Sequence, residues 1–152
     1  PGTVVAMNLI AAFNEPWLPL YNTVWMLPLA YYVRSVPVLT RVVTSAVEPF
    51  DASLIEAGRT LGGSRFFCLT RIAAPLLAPA VIAGTALAFA LSLGEFVASV
   101  LLYLPSNVPI SVRINMEWRG SGVGSAFAYS VFLVTLVTIT FVAARRLGSR
   151  VV

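Results

Sequence analysis

Apolar residues fill this chain in long blocks, without the alternating or one-sided patterns that mark half-buried strands and surface helices. Residues 125 to 144, SAFAYSVFLVTLVTITFVAA, carry no charge over 20 positions. At about 1.5 Å per residue, a helix of that length matches a hydrocarbon core of about 30 Å. Residues 76 to 103 are equally apolar apart from Glu95. They exceed the length of one crossing, so a tilted helix or a protruding end is expected. A third block covers residues 23 to 47, with Arg34 inside it, Arg41 near its end, and Pro28 and Pro37 predicting kinks that neighbouring helices must repair. The opening run, residues 3 to 13, is too short to cross a bilayer as a helix. Residues 1 to 13 are therefore expected to be part of a truncated membrane helix, and the chain a fragment of a longer one.

Composition agrees with a bilayer as the missing solvent. The chain is 59% hydrophobic and 11% charged over 152 residues, against about 25% charged in soluble domains. A water-exposed globule of this composition would lack polar residues to cover its surface. The fold expected is all-α, a polytopic transmembrane helical bundle. All ten basic residues are arginine, and their distribution sets the orientation. Arg41, Arg59, Arg65, Arg71, Arg145, Arg146 and Arg150 fall on one side if the polar stretch 48 to 75 and the tail 145 to 152 share it; Arg113 and Arg119 fall on the other. The excess of arginine places residues 48 to 75 and the tail in the cytoplasm, and residues 104 to 124 outside. The net charge of +4 needs no nucleic acid, since no basic patch is interleaved with the aromatic residues that stack bases.

The stretch DASLIEAGRTLGGSRFFCLTRIAAP, residues 51 to 75, is the main polar interruption. Asp51 or Ser53 can cap a short helix, and Ser53 with Glu56 has the spacing of a capping box. Leu54, Ala57 or Gly58, and Leu61 then share one face. Gly62 and Gly63 stop the helix, because glycine tolerates the left-handed conformation at a helix end. Ser64 can cap a second helix running through Pro75 toward the membrane. Two short helices with a glycine elbow and an apolar stripe offer a partner a knob to grip.

These residues resemble the inner-membrane permeases of binding-protein-dependent ATP-binding-cassette importers, whose cytoplasmic loop reads E-A-A, three residues, G, nine residues, I-x-L-P. Here Glu56, Ala57, Gly58, Gly62, Ile72 and Pro75 stand at that spacing, with Gly58 in place of the second Ala and Ala74 in place of Leu. The resemblance implies a MetI-like permease core whose loop seats in a groove of a separate ATPase subunit. ATP and magnesium would be bound there and none by this chain, and the further partners would be a periplasmic binding protein and a second permease half, fused or separate. It gives Glu56 the polar contact to the ATPase, Ala57, Gly58 and Leu61 the contact face, Gly62 the elbow, and Ile72 and Pro75 the return to the membrane. The runs PGTVVA, YYVRSVPVLTR, LSLGEFVASVLLY and PISVRI are most similar to the ferric-iron type. Permeases for sulfate, molybdate, thiamine and polyamines share much of this pattern.

Glu95 is an ionisable group inside an apolar run, a candidate functional residue by default. Counted along one continuous helix it lies roughly 24 to 29 Å from the start, in the outer half. A carboxylate there could meet a hard cation such as ferric iron. Permeases that resemble this chain but carry oxyanions keep an acid in the same run, which favours a structural or gating role. Arg34 either pairs with an acid or backbone carbonyls in the bundle or reaches for the interface. In the outer segment Arg113, Glu117 and Arg119 are candidates for binding-protein contact, or are solvated charges around an interfacial Trp118.

Other chemistry is excluded by residue type. The chain has no histidine, which removes Ser-His and Cys-His catalysis, and Cys68 is the single cysteine. No P-loop pattern occurs, and no metal site is expected. A membrane enzyme would need more polar groups inside the spans than Arg34 and Glu95. A passive scaffold would have no need of the coupling loop.

Overall fold

A computed structural model describes residues 2–151 apart from Trp17, Phe50, Ala52 and Ser121, and the side chains only as far as residue 147. Expectations attached to Pro1, Val152 and the Arg150 side chain lie outside the described residues. Eight α-helices follow in order among them: α1 Gly2–Phe13, α2 Met26–Val47, α3 Ser53–Thr60, α4 Arg65–Cys68, α5 Ala74–Leu93, α6 Val97–Leu102, α7 Ile110–Arg119 and α8 Val123–Val151. A π-helical turn, Leu69–Ala73, joins α4 to α5. Beyond an isolated bridge between Leu104 and Asn107, the described residues form no strand. The fold is all-α.

Among the described residues, two helical runs are long and apolar enough to cross a membrane, Arg65–Leu93 and Val123–Leu147. The helix α2 has the length, 22 residues, but carries Arg34 and Arg41. The π turn has a local cause. Pro75 lacks the N–H that would continue the ladder, and its ring crowds the preceding turn; widening that turn lets the helix run on, with Ala74 N–H reaching back to Leu69 O. The second helix of the polar stretch, α4, thus runs on through the π turn and Pro75 into α5, as the sequence predicts.

Four expectations are corrected. Pro28 stands in the first turn of α2, where a missing N–H is harmless, so Pro37 is the interior proline. The helix expected to run unbroken through residues 76 to 103 stops at Leu93 and restarts at Val97. Gly94 weakens the ladder there, and the groups freed by the break find partners around Glu95. The segment 104 to 124, expected as a loop, contains the ten-residue helix α7. The span 125 to 144 and the tail beyond it form one 29-residue helix.

The described chain divides into two compact units, Pro1–Pro37 with Phe89–Ile139, and Val38–Ala88 with Thr140–Val152. The first has a core of Ala6 from α1, Met26, Leu27 and Ala30 from α2, and Ala98 and Leu102 from α6. The three alanines are fully buried; such small side chains let helix backbones approach closely where packing rather than water drives association. In the second unit Gly84 does the same for α5. A Cβ there would lie 2.8 Å from Leu39 Cδ1 and 3.2 Å from Val42 Cγ1 of α2.

The helix α8 is apolar and exposed along most of its length, with Val131 66% and Val134 65% accessible. Its hydroxyls turn inward on their own backbone: Ser130, Thr135 and Thr138 each donate to the carbonyl four residues earlier at 2.8 Å. This removes polar groups from a surface that has no water to satisfy them.

Substituting Gly84→Leu should lower stability by about 1–3 kcal/mol through overpacking, and Gly84→Ala by less, since the nearest atom is the movable tip of Leu39. Thermal unfolding in detergent of the two variants against the parent protein checks the order.

Candidate functional site

The elbow of the second unit is built by its backbone. Asp51 Oδ1 accepts from Ser53 N at 2.9 Å, and Leu54 N–H bonds to Asp51 O at 3.2 Å, so Asp51 opens α3. This corrects the Ser53–Glu56 capping box: Glu56 has no hydrogen bond or ion pair among the described residues and is exposed. The Ser53 hydrogen bonds hold the Asp51 carboxyl below its ordinary range. At the other end Gly62 has φ +86°, Gly62 N–H bonds to Arg59 O and Gly63 N–H to Gly58 O, both at 3.0 Å. These two bonds around a left-handed glycine are a Schellman turn. Ser64 then caps α4, its Oγ accepting from Phe67 N at 3.2 Å.

This geometry sorts the signature residues into two sets. Glu56, Ala57, Leu61 and Gly62 are exposed, Leu61 to 89%. Gly58, Ile72 and Pro75 are half-buried. Gly58 faces the returning helix so closely that a Cβ would lie 2.7 Å from Ile72 Cδ1 and 3.1 Å from Cys68 Sγ. Gly58 and Ile72 therefore hold the elbow shut, and the first set forms its exposed face. A groove of about 640 Å³ opens beside it, lined by Leu61, Gly62, Ser64 and Phe67 among others. Phe66, 75% exposed, and Phe67, 51% exposed, extend the apolar surface. The sequence reading missed both, although two adjacent aromatics in the first turn after a capping serine were the available signal.

The first unit holds a polar node. Arg34 Nη2 lies 2.8 Å from Glu95 Oε2, and Glu95 Oε1 accepts from Ala98 N at 2.9 Å, capping α6. The Glu95 carbonyl accepts from Ser99 Oγ and, at 2.8 Å, from Ser111 Oγ of α7. Tyr31 and Ser99 share a hydrogen bond of 2.7 Å, and Ser35 and Ser92 one of 3.0 Å. Gly2 closes the other side, where a Cβ would stand 2.8 Å from Arg34 Nη1 and 3.0 Å from Glu95 Oε1. Arg34 is thus paired with an acid, and both Glu95 oxygens are engaged.

On α7 the candidates Arg113, Glu117 and Arg119 separate. Arg113 and Glu117 pair with each other at 3.1 Å, one turn apart, and Arg119 lies exposed in the last turn. Trp118 meets Phe127 edge to face, with ring centres 6.1 Å apart. A cavity of about 700 Å³ is lined by Val108, Ile110, Arg113, Tyr129 and Phe132 among others.

The described residues are helical, with two membrane-length apolar runs and a glycine elbow that leads into the first of them. The sequence pattern of the family described as "Binding-protein-dependent transport system inner membrane component" matches residues 1–152, and the chain belongs to that family. Among curated relatives, the chain is 32% identical over 142 residues to the probable ABC transporter permease protein y4fN of Sinorhizobium fredii, covering 90% of this chain and 25% of that one. It is 24% identical over 150 residues to the putative 2-aminoethylphosphonate transport system permease protein PhnV of Salmonella paratyphi A, covering 99% and 57%. It is 44% identical over 85 residues to the molybdenum transport system permease protein ModB of Escherichia coli, covering 56% and 36%. The chain therefore spans a quarter to somewhat over half the length of these relatives.

Two outcomes follow from the elbow. Gly58→Ala should be tolerated because the tip of Ile72 can move, whereas Gly58→Leu should cost about 1–3 kcal/mol by overpacking; thermal unfolding separates them. A carboxyl depressed in the folded state adds stability that is complete above its unfolded pKa, about 3.9, and is lost as pH falls through the folded value. The Asp51 cap should thus be intact at neutral pH and fail only in acid. Protection of the amides at residues 53–56, taken relative to their intrinsic exchange rates, should fall at acidic pH, and Asp51→Ala should lower it at neutral pH too.

Proposed function

We propose that this chain is part of the permease of an ATP-driven, binding-protein-dependent importer in the bacterial inner membrane, and that residues 51 to 75 couple it to a separate ATPase subunit. The observation that carries this reading is the elbow. A Schellman turn and a capped return helix lock Glu56, Ala57 and Leu61 into an exposed knob that fits insertion into a partner's groove. Closure of paired ATPases around ATP and magnesium would push on this knob and rock the permease halves between inward- and outward-facing states. The chain itself acts as a transporter subunit and not as an enzyme.

In this reading the elbow and the C-terminal end of α8 face the cytoplasm, as the arginine distribution favours, and α7 faces outward. Arg113, Glu117 and Arg119 then lie where a periplasmic binding protein would dock. The exposed apolar surface of α8 meets lipid or the second permease half. For the solute, ferric iron is the first reading, resting on the resemblance of the runs around Arg34, Glu95 and Arg113. Oxyanions are the second, favoured by relatives described as phosphonate and molybdenum permeases.

Labelled ferric iron uptake by cells carrying the intact parent complex tests both levels. At Gly62 the backbone is left-handed and nothing lies within 4 Å of a Cβ, so Gly62→Asn, which tolerates that conformation, should retain uptake. Gly62→Arg, which projects a charged side chain from the knob, should reduce uptake at least tenfold at an unchanged amount of permease in the membrane. Full uptake with Gly62→Arg would remove the coupling role. An assembled wild type with active ATPase and no iron uptake would keep the importer and leave oxyanions, polyamines and thiamine as the solutes to test next.

A further inference from the structure

The break between α5 and α6 needs an explanation beyond glycine. Inside an apolar chain a helix end exposes backbone groups that no water can reach, each costing several kcal/mol if left alone. Here the restart is capped by the Glu95 carboxylate at Ala98 N, 2.9 Å away. The Glu95 carbonyl is taken by Ser99, in α6 itself, and by Ser111, in α7. The same carboxylate grips Arg34 of α2 at 2.8 Å, with Tyr31 of α2 adding a second tie to Ser99. One residue thereby fastens three elements; its side chain is 9% exposed, and both carboxylate oxygens are engaged within the protein.

From this node we infer that Glu95 is a positioning residue: it fastens the α6–α7 hairpin to α2 through Arg34, so that hairpin and α2 travel together during transport, and it does not ligate the solute. The inference deepens the importer reading and rests on it for the word transport; the fastening stands on the geometry alone. Removing Arg34 leaves the buried Glu95 carboxylate without its ion-pair partner, removing the Glu95 charge leaves the partly exposed Arg34 unpaired, and either change frees the hairpin. Because both changes break one link, their effects overlap instead of multiplying.

Spin-label distances in the full-length parent complex test the inference. Labels are placed at Tyr32→Cys on α2 and Met116→Cys on α7, both exposed in the structure, with Cys68→Ser to remove the native thiol. Distances are recorded nucleotide-free and trapped with ATP and vanadate. The expected result is a single narrow distribution, the same in both states. Glu95→Gln and Arg34→Gln should each broaden it at least twofold, their double variant no more than either alone, and Arg34→Lys should leave it near the parent width. Complex yield on co-purification should stay within twofold throughout, which a merely structural loss would not allow. A parent distance that shifts between states, unbroadened single variants, broadening that adds in the double variant, or yield falling in step with the broadening would each overturn the inference. If no ATPase co-purifies with the parent chain, the importer reading fails instead. The same labels in the solubilised permease then still decide whether Glu95 fastens the hairpin.

Discussion

A backbone that leaves the helical ladder inside an apolar solvent must find its hydrogen bonds within the protein, and this constraint shapes the chain wherever a helix starts, stops or widens. At the break after Leu93 a single glutamate supplies both cap and carbonyl acceptor, with two serines and an arginine as its partners. At the π turn before Pro75 the ladder widens but does not break. Along α8 the hydroxyls satisfy themselves on their own carbonyls. The elbow between α3 and α4 obeys the same rule by the Schellman bonds at Gly62 and Gly63 and the Ser64 cap.

The same requirement gives the two regions their different characters. At the elbow the backbone is closed by its own turn, so the side chains of Glu56, Ala57 and Leu61 remain outward and uncommitted. At the node the backbone is closed by side chains, so Glu95, Ser99 and Ser111 are consumed in holding the fold. A surface with uncommitted side chains fits a docking face; a carboxylate with both oxygens engaged fits a fastener. Arg34 pairs with Glu95 because a lone charge of either sign is expensive among apolar helices.

Much of this was legible in the residues. Charge-free blocks marked the helices, since their length and composition are local properties. Gly62 marked the left-handed helix end and Ser64 the cap, because each acts within a turn of itself. The elbow's signature spacing pointed to the family that the whole chain matches. What escaped depended on partners distant in sequence. Glu95 looked like an intruder in one long helix because Arg34, 61 positions away, and Ser111 were not visible beside it. Gly58 read as part of the contact face because the approach of Ile72 is a tertiary fact. Asp51 and Ser53 were both eligible caps, and only the backbone path chose between them.

The account turns on the elbow meeting an ATPase. The most direct measurement is cysteine cross-linking in the full-length parent complex, with Ala57→Cys or Leu61→Cys in a Cys68→Ser background and a matching cysteine in the groove of the ATPase subunit. The account predicts a permease–ATPase adduct whose yield changes when ATP is added, and none from Arg119→Cys on α7. An adduct from Arg119→Cys, with Ala57→Cys and Leu61→Cys silent, would contradict it.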